Sequence, residues 1–153
     1  MTITLEAIEA KQSEISTLIE AFRKQSASTT VDVAAMTISL APGERYAGLI
    51  LGDDGMPSHH LVMLPGDMDG DTWSSAQEWA ADLGGELPTR REQSLLFANL
   101  KGEFQSAYYW SSETHESDSA CAWFQYFGGG GQGSGHKGDY GCRARAVRRL
   151  VIE

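Results

Sequence analysis

Met1, Leu5, Ile8, Gln12, Ile15, Ile19 and Phe22 follow one another at alternating steps of four and three residues. Only a helix brings such positions onto one line, and a helix with one apolar line needs a second surface to cover it. In heptad terms Leu5, Gln12 and Ile19 hold the a positions, and Met1, Ile8, Ile15 and Phe22 the d positions. Glu6, Glu9, Lys11, Glu14, Glu20, Arg23 and Lys24 take the remaining faces. A helix docked on its own domain would carry a wider stripe, so the spacing predicts a coiled-coil helix over 1–25 that joins copies of the chain through Leu5, Ile8, Gln12, Ile15, Ile19 and Phe22. Isoleucine at d shifts the preference from a parallel dimer towards a trimer or tetramer, and Gln12 fixes register at some expense in stability. Three heptads are marginal alone, so assembly draws on the globular part as well.

The polar run Gln25–Thr30 opens a linker, placed at 26–34, before a single domain at 35–153. With 153 residues, 41% of them hydrophobic and 22% charged, the chain has the composition of an ordinary globular protein with a sizeable core. It contains no apolar run of the ~20 residues needed to cross a bilayer and no basic segment leading into an apolar one at its start, so neither membrane insertion nor secretion by a signal peptide is expected. A net charge of −9 argues against direct nucleic-acid binding, which needs a basic face. Two cysteines are too few for a disulfide scaffold or a four-ligand zinc site, and Cys121 and Cys142 are expected as buried free thiols.

Within the domain, the apolar runs Met36–Leu40 and Tyr46–Leu51 flank a turn at Ala41–Glu44, and Asp53-Asp54-Gly55 turns the chain into a hairpin with His60–Leu64. Trp73, Ala76, Trp79, Ala80 and Leu83 share one helical face behind a cap at Thr72 or Ser74, and Gly84-Gly85 stops that helix. Thr89 and Glu92 form a capping box for a second helix. Strands follow at Ala107–Ser111, Ala120–Phe127 and Arg143–Ile152. Strands, two helices and strands again make an α+β pattern without strand–helix alternation.

Gly85-Glu86-Leu87-Pro88-Thr89-Arg90-Arg91-Glu92, Tyr109-Trp110-Ser111-Ser112, Ala122-Trp123-Phe124 and Arg145-Ala146-Val147-Arg148 stand in an order that resembles the bacterial and phage DUF1566 family, over roughly residues 60–152. The resemblance implies a C-type-lectin-like mixed sheet with two helices, related to the formylglycine-generating enzymes and to phage receptor-binding proteins. It also implies a phage or prophage source, placing the protein in a bacterial host cytoplasm or a virion. Two features of those relatives do not carry over. The EPN or QPD and WND triplets of calcium-dependent sugar binding are absent, and Cys121 and Cys142 lie too far apart in sequence for the copper site of the oxidases. No cofactor and no metal are therefore expected.

Other motifs weigh the same way. Asp67, Asp69 and Asp71 alternate as cation ligands can, but Gly70 comes too early for an EF-hand, and Glu78 at the twelfth position falls within the predicted helix. A solvated acidic loop at the helix N-terminus fits better. His59, His60, His115 and His136 have no zinc-like spacing. No nucleophile–base arrangement is readable, so an enzyme is not expected. Eight acids and no bases lie between Arg45 and Arg90, whereas five bases follow from Lys137 onward. Pairing of the two inside one fold is expected, with Arg145 and Arg148 bound to carboxylates. The glycine-rich stretch Gly128–Gly141 fails the P-loop pattern and is expected to be a long flexible loop. Loops on rigid scaffolds carry binding, so Tyr126, Gln132, His136, Lys137 and Tyr140 are the candidate partner-binding residues. The function expected is a non-catalytic module offering lectin-like loops to a protein or glycan from an oligomeric stalk. The alternative is an acidic effector occupying the basic surface of a host defence or nucleic-acid-binding protein.

Overall fold

A computed structural model describes residues 2–26 and 31–153. It divides into two units, Met1–Asp32 and Val33–Glu153. Met1 of the expected seam and residues 27–30 of the expected linker lie outside the described residues.

The first unit contains helix α1, Leu5–Gln25. The Thr4 side chain caps it by accepting from the Ala7 N–H, Glu6 lies in the first turn, and Arg23 and Lys24 lie in the last, the polarity the helix dipole favours. Not one residue of α1 is buried. Leu18, one step outside the a/d line, is apolar and exposed as well, so the stripe is wider than the seam alone.

The second unit is α+β. In chain order come β1 (Arg45–Leu51), β2 (Pro57–Met63), α2 (Trp73–Asp82), α3 (Arg90–Leu100), β3 (Tyr108–Thr114), β4 (Cys121–Tyr126), β5 (Gln132–His136) and β6 (Val147–Val151). They build two antiparallel three-stranded sheets, β1-β2-β6 and β3-β4-β5. Thr72 caps α2, and Gly84 at φ +81° follows its end. The Thr89–Glu92 capping box opens α3 with both of its bonds made. The Asp53-Asp54-Gly55 turn joins β1 to β2 as expected, with Gly52 N–H bonded to the Met56 carbonyl.

Three local expectations fail. Met36–Leu40 makes no strand. Arg148, on the opposite edge of the sheet from β1, donates to the Ser39 carbonyl at 3.1 Å and to Glu44, which in turn accepts from the Ala41 N–H. The segment is thereby drawn across the sheet instead of along the β1 edge. The last strand begins at Val147, not Arg143, because residues 143–147 bridge in turn to Tyr109, Met68 and Glu86. The glycine-rich stretch contains an additional strand, β5.

The β3-β4-β5 sheet separates two cores. On one face Trp110, Ala122 and the partly buried Phe124 pack with Leu64, Ala76 and Ala80 of the α2 side. On the other, Tyr109 and Phe127 pack with Leu96 of α3 and with Ala47, Leu61, Met63 and Val147 of the first sheet. Adjacent residues of one strand thus serve different cores, as strand alternation requires.

Candidate functional site

Two surfaces of the described residues stand out, one on each unit. On α1 the seam residues and their neighbours are open: Leu5 is 70% exposed, Phe22 67%, Leu18 64%, and Ile8 and Ile15 55% each. This is a large contiguous apolar strip for a helix with a charged opposite side. Lys11–Glu14 is the ion pair on its flank.

The second surface is the outer part of the β3-β4-β5 sheet. Register pairs Tyr108 with Tyr126 and Trp110 with Phe124. Tyr108 stacks edge-on against Phe124 and tilted against Tyr126, ring centroids 5.0 and 4.9 Å apart. Trp110 is fully buried, whereas Tyr108 remains 46% exposed and Phe124 and Tyr126 are half-buried. The row therefore runs from core to solvent along one face, ending in two phenols that combine apolar area with a polar tip.

Of the expected partner-binding residues, the structure brings only Tyr126 into this row. Gln132 and His136 lie on the opposite face, since they pair with Gln125 and Cys121. Gln132 is tied inward: its amide accepts from Arg90 Nε at 3.0 Å and donates to the Arg90 carbonyl and to Gln125 Oε1. Lys137 donates to Thr114 Oγ1 and lies over the Trp73 ring, 4.3 Å from its centroid. Tyr140, 70% exposed, stands apart on the segment after β5. The five residues do not share one surface.

Nor is the glycine-rich stretch an open loop. Several of its glycines lie where aromatic rings rest on the backbone, although Gly131 and Gly141 do not. A Cβ on Gly130 would stand 2.8 Å from the Phe97 ring, and Gly130 has φ +86°. A Cβ on Gly133 would stand 3.1 Å from the Phe124 ring, which also covers Gly135. The missing side chains let Phe124 lie flat on β5, so the stretch contributes to packing, which the sequence alone did not reveal.

The charged groups are mostly occupied within the fold, as the uneven charge distribution predicts. Arg149 binds Glu86 and, through Nε and Nη2, Glu92 at 2.5 and 2.8 Å. Glu92 is 1% exposed and also accepts from the Thr89 N–H and faces His59 Nε2 at 2.8 Å. Burial alone would raise its pKa, but the hydrogen bonds from Arg149 and Thr89 outweigh it and hold the carboxyl below its ordinary value. The hydrogen bond from Arg148 brings Glu44 down to about 2 against opposition from burial. Arg145 departs from expectation: among the described residues it meets no carboxylate, and its guanidinium donates to the Gly66 carbonyl and lies over the Phe104 ring.

The Asp67–Asp71 loop lies at the head of α2 with Asp69 open to solvent, as expected, and its carboxylates are also tied to neighbouring groups. Asp67 accepts from Arg143 and from the Tyr109 hydroxyl, Asp69 pairs with Arg143, and Asp71 accepts from the Thr72 N–H at the head of α2. Among the described residues, no group of three or more His, Cys, Asp or Glu is placed to hold a metal ion. Asp53 binds Arg91, and Asp54 accepts from the Met56 N–H. Of the eight acids in the middle of the chain, only Glu78 and Asp82 make neither a hydrogen bond nor an ion pair among the described residues.

One cluster escaped the sequence reading. Arg90 stacks on Trp123 at 3.5 Å from the ring centroid, His115 stacks on the same indole, and Glu116 binds both Arg90 and Trp123 Nε1. Arg90 begins α3, Trp123 lies in β4 and the other two lie between β3 and β4, so no local spacing announces it. Nearby, Cys121 lies across from His136 and its Sγ is 3.4 Å from Asp118 Oδ2. Burial, with the Asp118 carboxylate adding to it, raises this thiol, the opposite of what activates a cysteine nucleophile. Cys142 is buried and pushed up to about 12. Both cysteines are free.

No protein-family model matches the chain, and no curated protein matches it. No helix among the described residues is long and apolar enough to cross a membrane.

Proposed function

We propose that this protein is a non-catalytic binding module of phage or prophage origin, in which α1 joins copies of the chain and the unit that follows offers the β3-β4-β5 sheet to a protein or glycan partner. The fate of α1 supports this: a 21-residue helix carries a continuous apolar strip and buries none of it. Most helical stability in proteins comes from packing of an amphipathic face, and α1 makes no such packing among the described residues. The motifs shared with the DUF1566 pattern supply the lectin-like character of the reading, and the outward tyrosines Tyr108 and Tyr126 supply the contact chemistry. Joining several modest sites raises avidity without a deep pocket on any one copy.

Light scattering tests the assembly. The intact protein should have the mass of several chains, and Ile15→Asp with Ile19→Asp that of one, since removing each apolar side chain from the seam costs on the order of 2–5 kcal/mol. A single-chain mass for the intact protein defeats the proposal. For the binding face, Tyr108→Ala with Tyr126→Ala should abolish capture of a partner found by glycan-array or pull-down screening, while leaving the thermal midpoint within a few degrees.

A further inference from the structure

We infer that the copies joined through α1 run parallel and in register, with more than two helices in the bundle. This rests on the self-association proposed above and adds its direction. Over the described residues the seam is Leu5, Ile8, Gln12, Ile15, Ile19, Phe22, with steps of three, four, three, four and three. That sequence of steps reads the same in both directions, so apolar spacing alone permits two pairings. An antiparallel partner sets Leu5 against Phe22, Ile8 against Ile19 and Gln12 against Ile15. A parallel partner sets every residue against its own copy.

Gln12 separates them. In the parallel bundle the Gln12 amides meet in one layer, where each carbonyl oxygen can accept from a neighbour's N–H. In the antiparallel bundle each amide faces Ile15, and a buried amide with no partner bears the full desolvation of its polar atoms. In the parallel bundle the flanking neighbours are Thr4 with Glu9, Lys11 with Ser16 and Leu18 with Arg23, none of them like-charged. The number of helices follows from two features. Leucine or isoleucine at a with isoleucine at d disfavours the two-stranded form. Leu18 at g, 64% exposed, widens the strip beyond what a dimer seam covers. Parallel helices all release their chains at the same end, after Gln25, so every copy of the following unit is tethered there.

Cross-linking tests the direction in the full chain with Cys121→Ser, which leaves only the buried Cys142. Ile8→Cys places thiols at one level in a parallel bundle and about 16 Å apart along the axis in an antiparallel one, and Leu5→Cys raises that separation to about 25 Å. Treated with bismaleimidoethane, each single variant should give covalent dimers, and mixed Ile8→Cys and Ile19→Cys chains should give no hetero-dimer. Two positions are used so that weakening of the helix at one does not decide the result. A multi-chain mass by light scattering, with no cross-link in either single variant and a hetero-dimer in the mixture, overturns the parallel direction and leaves self-association standing. A single-chain mass overturns both. Gln12→Ile should let the 8–19 hetero-dimer form. Its continued absence in that variant overturns the role given to Gln12.

Discussion

α1 and α3 are both amphipathic, both capped by threonine, and stabilised in opposite ways. α3 buries Leu96 together with Glu92 and Gln93, and its polar members reach three other segments: Glu92 to Arg149 and His59, Gln93 Nε2 to the carbonyls of Tyr109 and Trp110. α1 buries nothing, and its hydrogen bonds stay within its own turns. A helix whose buried face is partly polar is specified by the domain around it. A helix whose apolar face is open is specified by its own repeat and by whatever covers that repeat.

The contrast can be broken most sharply at Glu92. Glu92→Ala should lower unfolding stability by about 3–5 kcal/mol, because it removes the buried carboxylate that Arg149, His59 and the Thr89 N–H share and leaves Arg149 only the exposed Glu86. The readout is a urea transition on a chain already carrying Ile15→Asp and Ile19→Asp, so that assembly does not mask the loss. A change below 1 kcal/mol would mean that the domain does not depend on this anchor.

Acid should act on the same unit. The folded pKa of Glu44 is about 2 against an ordinary 4.5, and that of Glu92 is lowered too, so the stability these groups provide is complete above about pH 4.5 and is lost as pH falls towards 2. Thermal midpoints should drop through that window, and Arg148→Met should make the drop shallower. An unchanged slope in Arg148→Met would remove Glu44 from the account.

Smaller effects distinguish the glycines. Gly130→Ala, at φ +86° and 2.8 Å from Phe97, should lower stability by about 1–3 kcal/mol. Gly131→Ala, with nothing within 4 Å and no positive φ, should change it by less than about 0.5 kcal/mol. Equal effects at the two positions would restore the picture of a featureless loop. Smallest of all, Cys142 should resist thiol reagents at neutral pH until the chain is unfolded, a consequence of its burial and raised pKa.

What the sequence disclosed follows from which signals are local. Both domain helices are written within a few residues, with caps at Thr89 and at Thr72 or Ser74, and the structure contains both helices with Thr72 as the cap of the first. The pairing of a basic C-terminal segment with an acidic middle was legible as a charge imbalance, although which arginine meets which acid was not: Arg149 bears the pairs expected of Arg145. β5 was hidden because a strand announces itself by alternating side chains, and Gln132-Gly133-Ser134-Gly135-His136 has almost none to alternate. The Arg90–Trp123–His115 stack and the buried amides of Gln93 and Gln125 depend on chain segments distant in sequence, which no periodicity reports.

The segment from Arg143 to Val151 bridges Tyr109, Met68 and Glu86 and then forms an edge of the first sheet beside β2. During synthesis it leaves the ribosome after every part that it fastens. The two sheets cannot be locked together until these residues have been made, and the pairings they close span most of the domain, a topology that folds slowly. α1 precedes all of those parts in the chain, and its hydrogen bonds stay within its own turns. Under the self-association proposed above, its copies can meet on polysomes while their domains are still incomplete, which places association before domain closure.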